Sequence, residues 1–242
     1  MVSFLVLWDV DFTLVDATGV GRRLYRRAFA ERYGADLPER ANEANMAGRT
    51  DRAIALEVLA LSGVADPIAE VGAFEAELAR LAPSMAGLVT ATATALPGAA
   101  AAMAALAGDD GGYPAGLAVQ SLLTGNVRPL AEVKLAPLGL TRHLDLDVGA
   151  YGNEHEVRAE LVHLARSRAA LAYRHDFGGE ATVLIGDTPH DMRAALVNGA
   201  RAIGVATGPF TAAQLGTAGA HAVLADLCDT SAVLAAILAP VT

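Results

Sequence analysis

The chain has 242 residues, a formal net charge of −9, 53% hydrophobic residues and 19% charged ones. The acidity argues against a nucleic-acid surface, the apolar content, much of it alanine, argues against disorder, and the length fits one large domain or one domain with an insertion. A single cysteine, Cys228, excludes an intramolecular disulfide and a cysteine metal cluster.

The start, MVSFLVLWD, lacks a basic leader region and meets Asp9 too early for a signal peptide. The alanine-rich stretch 91–107 is short and interrupted by Pro97 and Gly98, so no membrane span is expected and a cytoplasmic protein is. Phe4 to Trp8 is a continuous apolar run and reads as a strand buried on both faces, as in a parallel sheet covered by helices. Asp9, Asp11 and Thr13 follow at a spacing of two, which in an extended chain places their side chains on one side. Ligands bind at the carboxyl ends of strands in open α/β sheets, and two acids this close repel unless a cation or a shared proton intervenes. A divalent metal site follows.

Gly19 to Gly34 reads as a helix with Leu24 and Ala28, and with Tyr25, Phe29 and Tyr33, at spacings of four. Arg22, Arg23, Arg26 and Arg27 read as its solvated face. Thr50 or Asp51 caps a second helix carrying Ile54, Val58 and Leu61 and ending at Gly63, and Asp66-Pro67 opens a third that runs to about Leu81. No strand-like run interrupts 17–95, a long helical excursion for a doubly wound sheet.

Leu96-Pro97-Gly98 returns the chain to a helix ending at Leu106, and the GDDGG segment 108–112 reads as a loop. Leu117 to Leu123 is the next apolar run, and Thr124-Gly125-Asn126 at its end offers a hydroxyl and backbone N–H groups to a phosphoryl oxygen. Helices are expected over Arg128 to Leu140 and Val157 to Tyr173, with a short strand at Asp145 to Ala150 between them. Thr182 to Ile185 reads as a strand followed by Gly186-Asp187-Thr188-Pro189-His190-Asp191, where two carboxylates four residues apart can hold a metal and orient its waters. His190 is assigned to the surface. Arg201 to Ala206, with the turn Thr207-Gly208-Pro209, and Ala222 to Leu224 read as the last strands. Strand and helix alternation after residue 96 marks βαβ units and a parallel sheet.

Asp9-Val10-Asp11-Phe12-Thr13-Leu14, Thr124-Gly125-Asn126, a basic residue and Gly186 to Asp191 resemble, in order, the four motifs of the haloacid dehalogenase-like hydrolase superfamily: DxDx(T/V), (S/T)Gx, a lysine or arginine, and GDxxxD. Phe12 replaces the glycine most common in the first. Arg158, at the start of a helix and 29 residues before Asp187, fits the third, where Lys-Pro is more usual than the Arg158-Ala159 found here. Lys134, the only lysine, is its rival, but falls within the preceding helix, 53 residues before Asp187. The stretch 17–95 resembles the helical cap of one class of this superfamily, and Gly48-Arg49-Thr50-Asp51 resembles the cap turn of its phosphoglycolate phosphatase-like members.

The resemblance implies an α/β, Rossmann-like parallel-sheet core, residues 1–16 and 96–242, with an inserted all-helical cap, 17–95. It implies a Mg²⁺-dependent phosphatase acting on a small phosphate ester, phosphoglycolate-like or a sugar phosphate, with no nucleic-acid or membrane partner. In such an enzyme Asp9 is the nucleophile and Asp11 the acid and base. Mg²⁺ is held by the carboxylates of Asp9 and Asp187 and the backbone carbonyl of Asp11, and Asp191 orients its waters. Thr124, Gly125, Asn126 and Arg158 hold the phosphoryl oxygens, and Arg49 reaches the substrate's anionic end. Asp11 argues against a haloacid dehalogenase. The lack of lysine in 14–95 argues against a Schiff-base phosphonate hydrolase, and the length against a receiver domain. A sugar-phosphate mutase and a non-catalytic phosphate binder of the same fold are the alternatives.

Overall fold

A computed structural model describes residues 3–109 and 116–239. Part of the loop expected at 108–112 therefore lies outside the described residues. In chain order the elements are β1 (Phe4–Trp8), β2 (Val15–Asp16), α1 (Val20–Tyr33), α2 (Glu39–Asn42), α3 (Asp51–Leu61), α4 (Pro67–Leu81), α5 (Ala86–Thr92) and β3 (Thr94–Ala95). Next come α6 (Ala99–Ala107), β4 (Ala118–Leu122), α7 (Arg128–Leu135), α8 (Arg158–Tyr173), β5 (Thr182–Gly186), α9 (Pro189–Val197), β6 (Arg201–Val205), α10 (Ala212–Thr217), β7 (Ala222–Leu224) and α11 (Thr230–Leu238).

The five-stranded sheet has the order β4-β1-β5-β6-β7, and all four pairings are parallel. The architecture is thus α/β and Rossmann-like, as expected. The apolar run of β1 serves both faces because successive side chains alternate. Val6 and Trp8 pack toward a core shared with α1, α6, α7 and α11, whereas Leu5 and Leu7 pack with Leu161, Ala165, Met192 and Ala195 of α8 and α9. Parallel pairing points the carboxyl ends of β1, β4 and β5 the same way, with β1 between the other two.

All of α1 to α5 fall between β2 and β3, which form an antiparallel pair, Val15 with Ala95 and Asp16 with Thr94. This two-residue ladder ties together the outgoing and returning strands of the insertion. The helix ends follow local chemistry: Asp66 accepts the Ala69 N–H at 3.0 Å with Pro67 in the first turn of α4, and the Thr50 hydroxyl accepts the Ala53 N–H at 3.2 Å for α3. Among the described residues no helix is long and apolar enough to cross a membrane.

Two elements differ from the sequence reading. Asp145 to Ala150 is not a strand. It touches β4 near its two ends, where the Asp145 N–H donates to Gln120 O at 2.9 Å and the Ala150 N–H to Leu122 O at 3.0 Å. Between them the Asp147 N–H turns back onto Asp145 Oδ1, a local bond that competes with a ladder. Helix α7 stops at Leu135 rather than Leu140. Pro137 has no N–H with which to continue it, so Ala136–Leu138 tightens into a 3₁₀ turn closed by Gly139 at φ 71°.

Within the insertion, the buried Glu75 on α4 faces Arg52 at 3.0 Å, and its Oε1 has no partner among the described residues. Burial pushes its carboxyl from 4.5 up to about 7, with Arg52 pulling the other way. The folded state therefore holds more protons than the unfolded one between these values, and stability falls as pH rises through that window. We expect the melting temperature of Glu75→Gln, relative to wild type, to climb from about pH 5 to about pH 8. A difference independent of pH would contradict this.

Candidate active site

The chain turns directly after Asp11: the N–H groups of Thr13, Leu14 and Val15 all reach the Val10 carbonyl. Phe12, within this turn, has φ 56°, in the left-handed region that disfavours residues with a Cβ. That accounts for glycine being common at this position. Here the conformation is held by the Phe12 N–H donating to Val15 O at 2.8 Å and by the Thr207 hydroxyl donating to Phe12 O at 2.5 Å. The turn leaves Asp9 buried and Asp11 half-exposed at the mouth of a cavity of about 390 Å³.

Asp187 follows β5, and Asp191 lies in the first turn of α9 through a capping box with Thr188. Carboxylate oxygens of Asp9, Asp187 and Asp191 lie within 4.8 Å of one another, and all three residues are buried. Arg158, first residue of α8 and also buried, bridges two of them. Its Nη2 lies 2.8 Å from Asp9 Oδ1 and 2.7 Å from Asp191 Oδ1, and its Nε donates to Asp191 Oδ1 at 2.9 Å. Asp191 Oδ2 accepts from the Thr188 N–H and hydroxyl, at 3.1 and 2.6 Å, so both of its oxygens are engaged by protein.

Asp187 is different: its Oδ2 is buried and has no partner among the described residues. Gly208 makes room for it, since a Cβ there would lie 1.8 Å from that oxygen. Burial pushes the Asp9 and Asp187 carboxyls above the usual carboxylate range; Asp9, Asp11 and Asp191 add repulsion, and Arg158 opposes the rise. An unpartnered buried oxygen among crowded carboxylates is the donor set of a hard divalent cation, so these residues fit such a metal.

At the end of β4 the Thr124 hydroxyl oxygen accepts from the Asn126 N–H at 3.3 Å and from Asn126 Nδ2 at 2.8 Å. With two donors on its oxygen, the hydroxyl proton of Thr124 is left to point elsewhere. Thr124, Gly125 and Asn126 all line the cavity. Gly125 is pressed against the insertion, for a Cβ there would meet Arg49 O at 2.0 Å.

Both basic residues weighed for the third motif reach the site, on different carboxylates. Arg158 takes Asp9 and Asp191, while Lys134 on α7 donates to both oxygens of Asp11 at 2.7 Å. The signal for Lys134 was present in the sequence, because Leu130 and Lys134 are four apart and share the buried face of α7.

Arg49 lines the cavity, but its guanidinium is engaged by the Glu57 carboxylate and by the carbonyls of Asn45 and Ala53. Of the four arginines read as the solvated face of α1, Arg23, Arg26 and Arg27 are exposed as expected, but Arg22 is half-buried and lines the cavity, its Nη2 donating to Ala44 O at 3.3 Å. The difference arises because α1 starts abruptly at Gly19, φ 85°, so that its first turn still faces the site. His190, placed at the surface by sequence, is exposed as expected; it lies beside Gly48, and partial desolvation pulls its imidazole below 6.5.

The insertion lies against these loops. The Asp51 N–H donates to Gly125 O at 2.6 Å, the Arg52 N–H to Gly152 O at 2.9 Å and the Thr50 hydroxyl to Glu156 O at 2.8 Å. Asp51 itself is buried, accepting from the Val127 N–H and the Tyr25 hydroxyl.

Solved structures share this architecture at low identity. A hydrolase from Pseudomonas syringae is 19% identical, with 96% of this chain and 97% of that one covered and a TM-score of 0.66. A protein from Clostridium acetobutylicum described as a predicted phosphatase is 16% identical, with 97% and 99% covered and a TM-score of 0.66. A proposed beta-phosphoglucomutase from Bacteroides vulgatus is 17% identical, with 98% and 89% covered and a TM-score of 0.64. No curated protein matches the chain. The model of the haloacid dehalogenase-like hydrolases matches residues 6–196, and the chain belongs to that family of enzymes.

Proposed function

We propose that the protein is a Mg²⁺-dependent phosphomonoester hydrolase that works through an aspartyl-phosphate on Asp9. The observation that carries this reading is the pairing of a buried carboxylate gripped by Arg158 with a second carboxyl, Asp11, two residues away at the cavity mouth. A divalent metal held by the carboxylates of Asp9 and Asp187 and the backbone carbonyl of Asp11 supplies positive charge, so that an anionic nucleophile can meet an anionic ester.

Asp9 attacks phosphorus, and the bond to the ester oxygen breaks as that oxygen takes a proton from Asp11. Asp11 then takes a proton from the water that attacks the acyl phosphate, which releases phosphate and restores Asp9. Arg158 and the free hydroxyl proton of Thr124 hold the phosphoryl oxygens, with the backbone of Gly125 and Asn126 beside them. Asp191, engaged on both oxygens, keeps Arg158 in place.

Residues 17–95 act as a cap, moving about the β2–β3 ladder to admit substrate and exclude water during the reaction. The cavity volume suits a small metabolite. Arg49, Lys134 and Arg158 already hold carboxylates, whereas Arg22 has no carboxylate partner among the described residues. Arg22 is therefore the cation for a remote anionic group of the ester.

Phosphate release from a panel of phosphomonoesters, with Mg²⁺ or with EDTA, tests the reading. Metal-dependent release is expected, and Arg22→Met raises KM for the preferred anionic ester by about tenfold, the worth of one charged hydrogen bond. No release from any ester by folded protein with metal would refute it.

A further inference from the structure

Lys134 is only 2% exposed, and its ammonium has three hydrogens to place. They are matched by three acceptors: Asp11 Oδ1 and Oδ2, both at 2.7 Å, and Asn126 Oδ1 at 2.8 Å. None is left for a phosphoryl oxygen. The amide of Asn126 completes the arrangement, its Nδ2 donating to Asp11 Oδ2 and to Thr124 Oγ1, both at 2.8 Å. A buried ammonium is tolerated only when paired and fully hydrogen-bonded, so the network fixes Lys134 as firmly as Lys134 fixes Asp11.

We propose that Lys134 is the positioning residue of the acid–base carboxylate Asp11, a duty separate from that of Arg158 on the nucleophile. The proposal rests on the phosphatase reading above. As the bond from phosphorus to Asp9 forms and the bond to the ester oxygen breaks, the Asp11 proton passes to that oxygen. The carboxylate left behind is held by Lys134 and Asn126, aimed at the place where water will arrive. Without Lys134, Asp11 is half-exposed and tethered by a single amide, free to turn into solvent.

Proton donation matters when the leaving oxygen is basic and little when it is not. The test therefore compares kcat/KM of wild type and Lys134→Met for a primary alkyl phosphate and for p-nitrophenyl phosphate. A positioning role predicts a fall of about 100-fold for the alkyl ester, the low end of what general acid catalysis contributes, and less than about 10-fold for the aryl ester. Arg158→Met, which acts on nucleophile and phosphoryl group, lowers both together. Equal losses in Lys134→Met, or none, would overturn the proposal. If circular dichroism shows that Lys134→Met does not fold, Lys134→Gln keeps a donor without the charge and is read by the same ratio. Failure of the wild type to release phosphate from either ester refutes the phosphatase reading itself, and the proposal with it.

Discussion

Asp9→Asn releases phosphate at least about 10⁴-fold more slowly than wild type, the scale seen when a covalent nucleophile is removed. The amide oxygen can still accept from Arg158 and keeps nearly the same shape, so loss of folding is not the cause. The substitution removes one of three buried carboxylates, two of which are held above their normal range by burial. In metal-free protein at alkaline pH, Asp9→Asn is accordingly at least as thermostable as wild type. Activity within tenfold of wild type, or a folding defect that accounts for the loss, would contradict the assignment. Phosphate assays and a melting curve on one preparation separate these outcomes.

Gly208→Ala, at a residue that carries no functional group, lowers metal affinity by about 10- to 100-fold. The new Cβ would lie 1.8 Å from Asp187 Oδ2 and 2.7 Å from its Cγ, closer than any real Cβ contact. The carboxylate must leave its present position, although the parallel pairing of β6 with β5 and β7 is untouched. Calorimetric titration with Mg²⁺ reads the affinity directly, and activity lost at low metal should return in part at high metal. Unchanged affinity would mean that Asp187 does not hold the ion.

Much of the fold was legible because local and global preferences agree. The Phe4–Trp8 run is an interior strand of the sheet, between β4 and β5, and Asp66-Pro67 starts α4. The stretch 145–150 was misread because Val148 and Ala150 are indeed buried, but the Asp145 side chain takes the Asp147 N–H away from a ladder. The β2–β3 ladder carries no periodic signal in two residues and depends on the ends of an eighty-residue excursion meeting.

For the site, carboxylates at strand ends were readable since a parallel sheet places such ends together. The partners of Lys134 and Arg22 were not. Whether a cation on a helix meets a carboxylate, a cavity or water depends on the angle at which that helix packs, as with the first turn of α1 after Gly19. Gly208 stood in the sequence as an ordinary turn residue. Its relation to Asp187 exists only because β6 lies beside β5.

The central claim is a covalent phosphoryl group on Asp9. Enzyme turning over its preferred ester with Mg²⁺ is quenched in acid, reduced with borohydride and peptide-mapped by mass spectrometry. Reduction of an acyl phosphate converts the aspartate to homoserine, and the account predicts homoserine at position 9 only when ester is present. Steady turnover without homoserine at that position, or homoserine at another aspartate, would contradict it.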